Sequence, residues 1–99
     1  MERRRLEAIE QYIFSLFGSK NHSRLLTREI FESTNEFANA DLVRAFEDLE
    51  KRRRLLVRYT KDGSDWIELT PDGSDYVGVP TTDHLGALPH PPKSSSPLQ

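Results

Sequence analysis

The densest chemistry in this chain lies in Lys51-Arg52-Arg53-Arg54, extended by Arg58 and Lys61. Six cations fall within residues 51–61, with no acid among them. Guanidinium and ammonium groups at that density suit the phosphates of a polyanion, which they hold through charge-assisted hydrogen bonds. The same cations are also favoured at a helix C-terminus by its dipole, and they can pair with nearby acids. A phosphate clamp and a self-neutralised, solvated face are therefore both open readings. Little else carries chemistry. His22, His84 and His90 share no metal-ligand spacing, and there are no cysteines to form disulfides or thiolate sites. No nucleophile–base pairing and no glycine-rich phosphate loop stands out. The many acids fall on helix faces where solvation accounts for them. Neither an enzyme nor a cofactor or metal site is expected.

Charge is segmented along the chain. The 99 residues carry a net charge of −2, with a pI of about 5.9, so the chain as a whole is no polycation. Residues 29–50 hold seven acids against Arg44 alone, and residues 62–83 hold six acids and no cation. Any nucleic-acid contact must therefore be local. With 35% hydrophobic and 30% charged residues, the composition suits one small domain with a modest core. No stretch approaches the roughly 20 apolar residues of a membrane span. The N-terminus "MERRRLEAIE" has no signal-peptide pattern, so a cytoplasmic protein without a membrane partner is expected.

The elements that must position these cations follow from periodicity. Leu6, Ile9, Ile13, Leu16 and Phe17 recur at three- and four-residue intervals and predict a helix over residues 2–17, ended by Gly18. Phe14 lies off this stripe. It either packs against another element of the domain or serves a self-association contact, which would make the first helix a homodimer surface. "LLTREIFEST" predicts an extended entry and a second helix capped by Thr27, with Ile30 and Phe31 buried. Asn39 is placed to cap a third helix over residues 40–53, with Leu42, Ala45, Phe46 and Leu49 on one face. Two strand-like runs then flank Asp62-Gly63, whose tolerance of positive φ predicts a tight hairpin. In a two-residue loop Tyr59 faces Trp66 and Leu56 faces Leu69, with Leu56, Ile67 and Leu69 toward the core. Thr70-Pro71 signals the N-cap and first position of a short last helix. From residue 79 to 99 the prolines, "SSSP" and the missing apolar pattern predict a disordered tail. The domain is expected to span residues 1–78.

Taken together, helix, short strand, helix, turn, helix, hairpin and short helix predict an α+β fold. Several segments add a family likeness. Leu42, Phe46 and Leu49 occupy the apolar positions of a third helix, "LEKRRRLLVRY" looks like a helix-to-wing junction, and "LTPDGSDYV" is similar to the segment that closes the wing. On these residues the chain resembles winged helix-turn-helix domains, in particular the core of PadR-like and MarR-like prokaryotic transcriptional regulators. The junction glycine of that pattern is absent, so Arg53 or Arg54 must make the turn. Those regulators also continue into a long dimerisation helix, whereas the last helix here stops within two or three turns.

The resemblance implies double-stranded DNA as partner, with the third helix in the major groove and the wing reaching an adjacent groove or backbone. The candidate contacts are then Thr27, Arg28, Asn39, Arg44, Lys51, Arg52, Arg53, Arg54, Arg58 and Lys61. Steps of about 100° put Ala40, Arg44, Glu47, Asp48 and Lys51 outward on the third helix, with Asp41 and Val43 at its edges. Two cations against three carboxylates give that face a charge of −1, and Arg44 is the side chain best placed to read a base. The "ERRR" start can add phosphate contacts or be a solvated helix start. The competing expectation is a protein–protein module that docks through the acidic third-helix face, Val43 and the Tyr59/Trp66 pair, which otherwise simply stabilises the hairpin.

Overall fold

The computed structural model describes residues 2–80. In chain order the elements are α1 (Arg3–Lys20), β1 (Arg24–Leu26), α2 (Thr27–Glu32), α3 (Asn39–Glu47), a π-helical turn (Asp48–Arg52), β2 (Leu56–Lys61), β3 (Ser64–Leu69) and α4 (Pro71–Val77). The three strands form one antiparallel sheet in the order β1-β3-β2. The fold is mixed α+β, with the helices packed around one core at the base of the sheet. The segment predicted as a disordered tail lies outside the described residues from residue 81 onward. Its first residue does not belong to it: Val79 is buried in the core and its N–H bonds to the Ser74 carbonyl at 3.1 Å.

The apolar stripe of α1 buries Ile9, Ile13 and Phe17 against Leu42, Ala45, Phe46 and Leu49 of α3 and the turn that follows it. Ile30, Leu25, Leu56, Ile67 and Leu69 close the cluster from α2 and the sheet. Gly18 does not end α1. The helix runs to Lys20 and stops at Asn21, whose left-handed φ of 51° turns the chain while its N–H bonds to the Gly18 carbonyl. Asparagine tolerates that conformation at a helix C-cap, which makes the glycine unnecessary.

Two helix starts are also displaced. Thr27 and Asn39 are the first residues of α2 and α3, and the N-cap positions are Leu26 and Ala38, neither with a capping hydroxyl. At α2 the Glu29 carboxylate reaches back to accept the Leu26 N–H at 3.1 Å, which satisfies an otherwise unpaired donor. The third helix is not α-helical to Arg53. It widens at Asp48 into the π-turn, closed by the Arg53 N–H bonding to the Asp48 carbonyl at 3.0 Å.

The hairpin register is as the sequence predicts, with Tyr59 opposite Trp66 and Leu56 opposite Leu69. Asp62 and Gly63 take φ values of 54° and 77°, the two positive angles that a tight hairpin turn needs. Arg54 makes the junction turn with φ 57°. Thr70 caps α4 by accepting the Gly73 N–H at 3.1 Å, and its hydroxyl donates to the Arg54 carbonyl at 3.0 Å. The base of the hairpin, the junction and α4 are thus tied at one residue.

Candidate nucleic-acid interface

The six cations of residues 51–61 divide into two groups. Arg52, Arg53 and Arg58 are paired, and the pairing fixes where their charge goes. Arg52 lays its guanidinium fork on Asp48, with Nε to Oδ1 at 2.6 Å and Nη2 to Oδ2 at 2.9 Å. Arg58 holds Glu50 at 2.9 Å. Arg53 turns inward to the buried Glu10 of α1, with Nη1 to Oε1 at 2.9 Å, and packs over the rings of Phe14 and Tyr76. The sequence places Arg53 among the candidate DNA contacts; in the fold it bridges α1, the end of the π-turn and α4. Among the described residues Lys51, Arg54 and Lys61 are exposed and carry no ion pair, as is true of Arg28 and Arg44.

The outer face of α3 changes sign once its partners are included. Arg5 of α1 pairs with Asp41 at 3.5 Å, and Arg52 neutralises Asp48. Arg5 reaches that position because its guanidinium also lies over Phe37, which packs edge-on against Tyr12. Four cations (Arg5, Arg44, Lys51, Arg52) now stand against three carboxylates (Asp41, Glu47, Asp48), so the face carries +1 rather than −1. The Asp48 carboxyl sits far below the usual carboxylate range, at about 2, because the Arg52 fork stabilises its ionised form. Arg44 is exposed at the middle of this face, while Val43 is half-buried at its edge.

Thr27 and Arg28 are carried to the hairpin tip. With Gly63, Ser64 and Asp65 they line a hollow of about 240 Å³ between α2 and the turn. The start of α2 is no vacant anion site, however: Glu29 already occupies it, and Lys20 pairs with Glu29 at 3.7 Å. Asn39 is exposed at the start of α3.

The hairpin pair is built into a network that the sequence did not reveal. Arg24 of β1 lies over the Trp66 ring, 4.7 Å from its centroid, and the Tyr59 hydroxyl donates to the buried Glu68 at 2.7 Å. Burial, and then the bond to Glu68, raises the Tyr59 phenol above its ordinary value. One face of Trp66 is thereby covered, which favours the hairpin-stabilising role over an open stacking platform. A groove of about 470 Å³ runs between α3 and the hairpin, floored by Phe31, Val43 and Phe46 and edged by Glu50, Arg58, Tyr59, Asp65 and Trp66.

Phe14 resolves as internal packing. It is 5% exposed, with its ring 5.0 Å from that of Tyr76 on α4, and so offers no surface to a second copy. Among the described residues no group of three or more potential metal ligands comes together, and no helix is long and apolar enough to cross a membrane. No protein-family model, curated protein or solved structure matches the chain.

Proposed function

We propose that this chain is a winged helix-turn-helix domain that binds double-stranded DNA and serves in transcriptional regulation. The β2–β3 hairpin is the wing, α3 is the helix presented to the major groove, and β1 closes the sheet beside β3. The observation that carries the reading is the reversal of charge on the outer face of α3. Arg5 and Arg52 quench Asp41 and Asp48, leaving Arg44 and Lys51 outward with only Glu47 opposing them. Arg28, Lys51, Arg54 and Lys61 are the phosphate anchors, and Arg44 is the base reader.

Engagement of about four phosphates implies an affinity that falls about 10²-fold between 50 and 200 mM salt. The test is titration of a labelled duplex at those two salt concentrations. The Lys51/Arg54/Lys61→Ala variant is expected to lower the slope of log K against log salt by about 3, roughly one per phosphate contact. Arg52→Ala instead uncovers Asp48 and is expected to weaken binding with a smaller change in slope. Absence of binding at low salt, or a slope indifferent to the triple change, sinks the proposal. The groove beside Val43 favours a second reading, a protein–protein module, which predicts partner binding insensitive to Lys51, Arg54 and Lys61.

A further inference from the structure

Glu10 is a carboxylate in the wrong place for a charge. It lies mid-helix on α1 with its side chain 1% exposed, at the junction of α1, the π-turn and α4. Its Oε1 accepts from Arg53, but as a carboxylate its buried Oε2 has no donor. An orphaned buried oxygen of this kind is costly. Asp48 stands within hydrogen-bonding reach, yet it carries only acceptors when ionised, and both its oxygens are already claimed by the Arg52 fork. A proton on Glu10 Oε2 removes the conflict, because the carboxylic acid then donates to the Asp48 carboxylate while Oε1 still accepts from Arg53.

We propose that Glu10 and Asp48 share one proton, and that this proton latches the π-turn onto α1. With the proton in place, one continuous chain runs from Arg52 through Asp48 and Glu10 to Arg53, and the turn carrying Lys51 and Arg52 is fixed. When the proton leaves to solvent through the pocket of about 430 Å³ that borders Glu10, two carboxylates face each other without a donor between them and the turn loosens. The charged and titratable groups around the pair come from α1 (Arg3 and Glu7), from the turn and the residue that follows it (Arg52 and Arg53), and from α4 (Tyr76). Arg53 alone draws Glu10 toward ionisation at contact distance, and Tyr76 shares that guanidinium, which lowers the Tyr76 phenol. Burial first, and then the bond to Asp48, push the Glu10 carboxyl up to about 7 against the pull of Arg53. The latch therefore opens near neutrality. It does not depend on whether the domain binds DNA.

The test uses the protein alone. Carbonyl-detected NMR of the full chain is expected to show the Glu10 carboxyl titrating near pH 7. Asp48 should respond in that same step, since coupled acids titrate as a pair. Amide protection at Arg53 and Leu55, whose N–H groups close the turn onto Asp48 and Leu49, should fall by up to about tenfold per pH unit from about pH 5 to 7. Glu10→Gln keeps a donor for Asp48 and an acceptor for Arg53 in every ionisation state, so it should flatten that fall and hold the turn closed at pH 8. A Glu10 titration in the ordinary carboxylate range, or a Glu10→Gln profile that still falls across neutrality, overturns the proposal. If Glu10→Gln fails to fold, the wild-type titration decides by itself.

Discussion

Gly73 lies in the first turn of α4, and the space beside it decides the sign of a substitution. A methyl group on its Cα would stand 1.9 Å from the Leu55 carbonyl oxygen and 2.9 Å from its carbon. Carbon–oxygen contacts sit at about 3.3 Å or more, so the two backbones would have to separate by more than about 1 Å. The same Leu55 oxygen accepts the Thr70 N–H at 3.0 Å, and the Thr70 hydroxyl donates to the neighbouring Arg54 carbonyl at 3.0 Å. Separation breaks both bonds. Losing a buried backbone bond costs about 1–3 kcal/mol and losing the hydroxyl bond about 1 kcal/mol, while alanine's helix propensity returns about 1 kcal/mol. Gly73→Ala should therefore destabilise by about 2 kcal/mol. Gly18→Ala is the matched control, since its new methyl would meet only Val77 Cγ1, at an ordinary 3.7 Å, inside α1. There propensity acts unopposed, and a gain of about 0.5 kcal/mol is expected near the helix end. Urea unfolding followed by Trp66 fluorescence and far-ultraviolet circular dichroism measures both. If the two variants shift the midpoint in the same direction, the close-approach argument is refuted.

Two further outcomes follow from the structure. Glu10, raised to about 7, favours the folded state while protonated, so stability should decline as pH rises from about 4.5 to 7, by at most about 3 kcal/mol. Asp48, lowered to about 2, acts oppositely and adds stability between about pH 2 and 4. Urea midpoints across pH should peak between about pH 4 and 5; a maximum at pH 7 or above contradicts the Glu10 assignment, and no rise between about pH 2 and 4 contradicts that of Asp48. Arg54→Gly relieves a left-handed φ that costs a non-glycine residue about 1–2 kcal/mol, offset by about 0.4–1 kcal/mol of added unfolded-state freedom. A net gain of about 0.5 kcal/mol is expected by urea unfolding, with no gain for Arg54→Ala. The same change removes a proposed phosphate anchor, so Arg54→Gly should be more stable and bind duplex DNA less tightly.

The features legible in the sequence are those set by short-range physics. The stripe Ile9, Ile13 and Phe17 reports a helix face because residues three and four apart share a side. Asp62-Gly63 fixes the hairpin and its Tyr59–Trp66 register because few residues accept two successive positive φ angles. Thr70-Pro71 starts α4 through one hydroxyl and one preset dihedral. At two helix ends a second local solution competes with the one the sequence predicts: Asn21 ends α1 in place of Gly18, and Glu29 satisfies the start of α2 in place of a Thr27 hydroxyl. The destinations of the charges were not legible. Arg53 and Glu10 are 43 residues apart and meet only because α1 packs beside the end of α3. Arg5 quenches Asp41 by the same packing. Chain order determined the helices, the hairpin and the existence of a basic segment. Only the tertiary structure decided which of its cations are spent on internal carboxylates and which face outward, because ion pairing depends on distances in space that sequence separation does not encode.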